Sequence, residues 1–231
     1  MSVLAVLDPA VAVAHAAVAA IAHLLPTAAA IVLFTVAVRL ALHPLARAAA
    51  RGEKSRAVLA PKVAALNAKF KQRPEKLREA MAELYREEQV SPFAGCLPML
   101  VQIPFFSVMY RLFTTPNDLL GHTLFGVPLG LHVPGAHGAG QFAVFGLLYA
   151  GLAAVGYVNY RRARRAAAAQ PTPHPGAGLL PYLSFGSVLF ALLVPVAAAL
   201  YLLTTSAWSA AERAWLYRDV PQSPAAAALA G

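Results

Sequence analysis

One arginine, Arg39, stands inside a run of membrane length, Thr27 to Pro44, that reads TAAAIVLFTVAVRLALHP. A guanidinium in a hydrocarbon core costs at least about 2.5 kcal/mol on the mildest insertion scale, so two arrangements are open to it. It snorkels toward an aqueous edge marked by Arg47 and Arg51, Arg47 being about 12 Å away by helical rise. Otherwise it faces a water-filled recess between helices, where a fixed positive charge attracts acidic or polar segments of a client. A second polar group, Gln102, lies between Pro98 and Pro104 in SPFAGCLPMLVQIPFFSVMYRLF. Each proline removes an amide donor and favours a kink. The glutamine amide either bonds a neighbouring helix or helps to wet a cavity.

Other chemistry is excluded. There is no H-E-x-x-H, G-x-S-x-G or P-loop pattern, and the acidic residues are almost confined to hydrophilic segments, so hydrolysis and ATP use are not expected. His15 and His23 share one helical face, but no Cys, Asp or Glu joins them at ligand spacing, and no metal or other cofactor is expected. The single cysteine, Cys96, cannot form an internal disulfide.

These residues need apolar helices to position them. The chain has 231 residues, 59% hydrophobic and 13% charged, with a mean hydropathy of +0.59. That composition predicts an all-α integral membrane protein with one membrane domain. The net charge of +9 matters through its placement, which sets topology. Residues 1–26 carry no Lys or Arg and so lack the basic start of a secretory signal. They read as an external helix lying at the interface.

After the first span, residues 27–45, comes a basic insert, residues 47–90, which holds eleven of the nineteen Lys and Arg residues and therefore belongs in the cytoplasm. Leu59, Val63, Leu66 and Phe70 recur at helical spacing, and Leu77, Met81 and Leu84 repeat the pattern after Arg73 and Pro74. Pro74 suits the first turn of a helix. The insert is predicted to be a helical hairpin whose apolar seams face each other. Its basic residues, among them Lys54, Arg56, Lys69, Lys71, Arg73, Lys76 and Arg78, suit anionic headgroups, ribosomal RNA or acidic targeting factors.

The second span is predicted at residues 92–113 and the third at 141–160. Between them lies an external Gly/Pro-rich loop, Thr114 to Gly140, without Lys or Arg. Four arginines, Arg161, Arg162, Arg164 and Arg165, then return the chain to the cytoplasm, followed by a Pro-rich linker. The last apolar tract, Leu179 to Trp215, would measure about 55 Å as one helix and must fold back at Pro195, giving spans at 179–194 and 196–216. The expectation is five transmembrane helices in a plasma membrane, with the N-terminus outside and the C-terminus, including the tail 219–231, inside.

With these segments in order, the chain resembles the YidC-type membrane protein insertases, which include mitochondrial Oxa and chloroplast Albino relatives. The resemblance runs from about Thr27 to Arg218. It rests on Gly95, Cys96, Leu97, Pro98, Gln102, Pro104 and Tyr110, on an arginine followed by LALHPL, and on the basic hairpin. The external TLFGVPLG at Thr123 to Gly130, and Pro195 with Tyr201, add to it.

The resemblance implies a five-helix bundle, residues 27–218, with a hydrophilic groove open to the cytoplasm and to lipid but closed to the outside. Arg39 matches the family's groove arginine and Gln102 its polar neighbour; Thr35, Thr204 and Thr205 are candidates for the same wall. The implied activity is that of an insertase and chaperone, without hydrolytic or redox chemistry. It would act on nascent membrane proteins, as a monomer, with lipids, a Sec translocon and the ribosome as partners and no DNA. Leu202 and Thr204 to Ser206 stand where many relatives carry an aromatic and an Asn. The absence of a large external domain and the Arg- and Ala-rich composition resemble the short Gram-positive, actinobacterial form.

Two alternatives remain open at this stage. A small transporter or channel would use Arg39 to bind an anionic solute, although the odd number of spans and the single large hairpin argue against common transporter plans. A structural assembly factor would use the hairpin alone.

Overall fold

A computed structural model describes residues 7–88, 97–168 and 178–218, and within these not the side chains of residues 56, 97–102 and 104. The expected roles of Gln102 and Arg56, and the tail 219–231, therefore fall outside the described residues. The chain is divided into two compact units, Met1–Ala41 with Phe105–Gly231, and Leu42–Pro104.

The larger unit is built from helices whose buried positions recur at one-turn intervals. Helix α1 (Asp8–Ala22) opens with Pro9, whose missing N–H is harmless in a first turn, and buries Ala14 and Val18. Helix α2 (Thr27–Ala41) buries Thr27, Ile31 and Thr35, each four residues from the next. Pro44 comes in the first turn of the following helix, so α2 ends three residues after Val38, short of the continuous span expected through residue 45. At fifteen residues it rises about 22 Å, less than a hydrocarbon core of about 30 Å.

Helix α6 (Ala139–Ala168) buries one stripe, Val144, Phe145, Leu148, Leu152 and Gly156. Among the described residues it is the one helix long and apolar enough to cross a membrane by itself, and only 28% of its apolar window is buried. Most of that window faces outward, as lipid contact requires and as water disfavours. Thr27–Ala41 meets the same criterion only if joined to His43–Ser55 as one broken span. The expected span at 179–194 is a six-residue 3-10 turn, Leu180–Phe185, followed by the short α7 (Gly186–Ala191). Helix α8 (Val196–Leu216) begins directly after Pro195.

Helix α8 is the centre of the unit, packing against α2, α6 and α7. Its first turns are Val196, Ala197, Ala198 and Ala199, all buried; small side chains let backbones approach closely. The Val196 and Ala197 amides, orphaned by the helix start, donate to the Leu131 and Leu129 carbonyls at 3.0 and 2.8 Å. Those carbonyls belong to the loop that precedes α6, which is not merely irregular. It contains a small hairpin, β1 (Thr123–Leu124) paired with β2 (Val127–Pro128). Phe125 and Gly126 turn it with φ of 51° and 80°, the pair of positive angles that a two-residue turn of the right twist needs.

In the smaller unit α3 (His43–Lys69) and α4 (Pro74–Glu87) are joined through residues 70–73 and pack on each other. Leu59 and Leu84 are buried, with Val63, Leu66, Leu77 and Met81 half-buried. Lys62 and Glu88 form an ion pair. Helix α5 (Leu97–Thr114) contains Pro98 and Pro104 within its bounds. Its later residues Val108, Met109, Leu112 and Phe113 join the core of the larger unit.

Candidate functional site

Helices α2 and α8 bring together two of the polar residues singled out in the sequence. Arg39, near the end of α2, donates from Nε to Thr205 Oγ1 at 2.8 Å, and its Nη2 donates to the same oxygen. Thr205 is only 7% exposed. One hydroxyl thus accepts two N–H groups of a guanidinium that has five donors and no acceptor.

A polar stripe surrounds this pair on α8. Tyr201, one turn before Thr205, is buried, and its hydroxyl lies beside Thr205 and Arg39 without a hydrogen bond of good geometry. Ser209, one turn after Thr205, donates to the Thr205 carbonyl at 2.8 Å. Glu212 adds a negative charge within electrostatic reach of Arg39. The buried Trp208 Nε1 on the same helix is also without a hydrogen-bond partner, and an indole nitrogen can only donate. The spacing Tyr201, Thr205, Ser209 and Glu212 is a helical repeat of four, four and three in an otherwise apolar run. That periodicity was the available signal for Ser209 and Glu212, which a reading centred on Thr204 to Ser206 passes over.

The other expected site residues are placed differently. Thr35 is fully buried and donates to the Ile31 carbonyl at 2.7 Å. Thr204, half-buried, donates to the Leu200 carbonyl at 2.9 Å. Both hydroxyls are satisfied within their own helices. Gln102 lies in α5, its side chain outside the described residues. On the α3–α4 unit Lys69, Lys71, Arg73, Lys76 and Arg78 are exposed and Lys54 is half-buried; Lys69 Nζ lies 5.3 Å from the centroid of the Phe70 ring.

At the far end of α2 a second polar seam fastens α1. Arg111 Nη1 pairs with Asp8 Oδ1 at 2.6 Å, and His15 Nε2 with Asp118 Oδ1 at 2.6 Å. Thr27 and His122 share a hydrogen bond. The bond from His15 holds the exposed Asp118 carboxyl below the ordinary carboxylate range. Arg111 is thus engaged by a protein carboxylate.

The arrangement offers a fixed cation, hydroxyls and a nearby carboxylate in apolar surroundings. It contains no activated nucleophile, and among the described residues no group of three or more His, Cys, Asp and Glu could hold a metal. Its charge and donors suit contact with polar or anionic groups.

Comparison with known proteins converges on one family. The family model described as 60Kd inner membrane protein matches residues 20–223. The chain is 36% identical over 119 residues to a protein named membrane protein insertase YidC from Caulobacter vibrioides, which covers 52% of this chain and 19% of that protein. A protein of the same name from Clostridium perfringens is 40% identical over 91 residues, covering 39% of this chain and 38% of the relative. One from Polynucleobacter asymbioticus is 36% identical over 91 residues, 39% of this chain and 16% of the relative. The matched segments therefore span well under half the length of these relatives.

Proposed function

The chain belongs to the 60Kd inner membrane protein family, and on that premise we propose that it is a membrane protein insertase and chaperone. The observation that carries the reading is the Arg39–Thr205 pair, a guanidinium held on a buried hydroxyl between two apolar helices. A charge so placed is expensive to maintain and has a use when a client supplies polar or acidic groups.

The mechanism runs through exchange of partners. The polar flank of a nascent membrane protein enters from the cytoplasm, and its carboxylate or carbonyl groups replace Thr205 on the guanidinium. An anionic acceptor bonds a guanidinium more strongly than a hydroxyl does, while Glu212 competes for the same cation and keeps the stay short. Thr35 and Thr204 are further candidates for the lining beside Thr205, and Gln102 is the polar neighbour that the family resemblance implies. The client's apolar helix meanwhile leaves for lipid, driven by about 25 cal/mol per Å² of apolar surface removed from water. No nucleotide is consumed.

Five spans, near residues 27–45, 92–113, 141–160, 179–194 and 196–216, serve this role, with the α3–α4 pair in the cytoplasm and the N-terminus outside. The proline residues 98, 104 and 195 shape the spans. The distribution of basic residues supports this orientation, since seventeen of nineteen fall in segments 47–90, 161–165 and 213–218. Lys54, Arg56, Lys69, Lys71, Arg73, Lys76 and Arg78 provide contacts to lipid, ribosome or targeting factors, and a Sec translocon is a further partner. The chain works as a monomer in the plasma membrane.

The test is Arg39→Ala in a cell or vesicle insertion assay. The expected result is lower insertion of clients with acidic flanks while the protein itself accumulates normally. Normal insertion of every client would refute the role of Arg39. Arg39-dependent anion flux in proteoliposomes would assign the site to transport instead.

A further inference from the structure

The four arginines that close α6 do not behave alike. Arg162 is half-buried, and its Nη1 donates to the Ala210 carbonyl at 2.8 Å, which ties α6 to α8. Arg161 and Arg164 are exposed, and each lies over the tyrosine one turn before it. Arg161 is 5.9 Å from the centroid of Tyr157 and Arg164 is 5.8 Å from that of Tyr160, whose hydroxyl also accepts from Arg164 Nη1 at 3.4 Å. The Tyr160 ring is itself fixed, with Tyr182 at 5.2 Å and Phe185 at 5.8 Å from the neighbouring 3-10 turn. Two guanidinium groups, three residues apart on one helix, are thus carried beside an aromatic shelf.

A guanidinium has five N–H donors, so one held over a ring, even with one N–H on the Tyr160 hydroxyl, keeps others for a planar or tetrahedral oxyanion. The surroundings select the source of that anion. Leu179, Leu180 and Leu183, on the segment that supplies Tyr182, are 69%, 62% and 69% exposed, and Tyr182 is 57% exposed. A nucleic acid or a soluble acidic protein would leave this apolar flank in water. A bilayer surface buries the leucines, seats the tyrosines at headgroup depth and presents phosphate to the arginines together.

We propose that Arg161 and Arg164, on the shelf of Tyr157, Tyr160 and Tyr182, form a binding site for the phosphate of an anionic phospholipid. The site is separate from the Arg39 region and needs only that this end of α6 lies at a membrane surface.

The experiment uses the purified full chain in detergent, titrated with phosphatidylglycerol and, in parallel, phosphatidylcholine, with bound lipid counted by native mass spectrometry. Wild type should retain phosphatidylglycerol in preference to phosphatidylcholine. Arg161→Gln/Arg164→Gln should lower phosphatidylglycerol affinity about tenfold, since charge-assisted bonds are lost. Arg161→Lys/Arg164→Lys keeps the charge without the planar fork and should recover only part of it; this variant also carries the test if the glutamine pair folds poorly. Arg213→Gln/Arg218→Gln removes the same charge elsewhere and should leave affinity unchanged. Equal retention of the two lipids, wild-type affinity in the glutamine pair, or an equal loss in the Arg213/Arg218 control would overturn the proposal. Loss of binding to a single-stranded RNA oligonucleotide in the glutamine pair, with lipid binding intact, would assign the arginines to RNA.

Discussion

Replacing Thr205 by valine should destabilise the protein by about 1.5 kcal/mol, and the bond to Arg39 sets that size. Valine keeps the volume and branching of threonine but removes the one oxygen that accepts from Arg39 Nε and Nη2. Hydrogen bonds to charged groups contribute about 1.5–3 kcal/mol in water-soluble proteins, whereas interhelical bonds in membranes reach only about 1.7 kcal/mol. The two ranges meet near the lower figure, and a shared acceptor favours it too. For a chain of this size the loss corresponds to a fall in Tm of about 3–6 °C, measurable by thermal unfolding in detergent. Thr205→Ser keeps the acceptor and should lose much less. In a double-mutant cycle with Arg39→Gln the two substitutions should be non-additive, because each removes the same contact. Additive losses, or a Thr205→Val protein as stable as wild type, would refute the claim that this hydroxyl holds the guanidinium.

Other substitutions test other parts of the fold. A methyl group on Gly156 would come within 3.1 Å of the Ser184 carbonyl oxygen and of Phe185, whereas on Gly151 it would meet only the flexible end of Leu203 at 3.0 Å. Gly156→Ala should therefore cost about 1–3 kcal/mol and Gly151→Ala less, as read by thermal unfolding. Because His15 depresses the Asp118 pKa, the Asp118 contribution is present above the ordinary value of 3.8 and lost as pH falls through the lower folded value. An NMR titration should place the Asp118 midpoint below 3.8 in wild type and return it toward 3.8 in His15→Ala; an unchanged midpoint would separate the two residues. Lys62 is raised above 10.5 by its bond to Glu88, so its stabilisation is present below pH 10.5 and lost as pH rises through the higher folded value. Hydrogen exchange at the end of α4 should quicken in Lys62→Ala and in high salt, which screens so exposed a pair.

What could be read from the sequence follows the range of the interactions. Pro195 marks a helix start because a proline acts on its own backbone, and α8 begins directly after it. The existence of α6 follows from a long apolar run closed by arginines, but an all-round apolar run does not say which stripe is buried. Pro44 carries the same kind of signal, as a proline in the first turn of a new helix, but the apolar run before it favours a span continuing to residue 45. The hairpin at Thr123–Pro128 was less accessible, since its turn places a phenylalanine at positive φ where Asn or Asp is the usual signal. The seating of α1 was out of reach: Asp8 and His15 find their partners about a hundred residues away in Arg111 and Asp118. The Arg39–Thr205 pair lies between these cases. Its place in an apolar run singles out Arg39 and the family resemblance brings in Thr205, but their union across 166 positions of sequence needed the packing of α2 on α8.

The most direct test of the insertase reading is site-specific photocrosslinking from positions 39, 102 and 205 to a stalled nascent membrane protein in native membranes. Crosslinks from these positions to the client's entering polar flank are the predicted result. Crosslinks confined to the α3–α4 pair, with none from the three positions, would contradict a client-receiving role for Arg39.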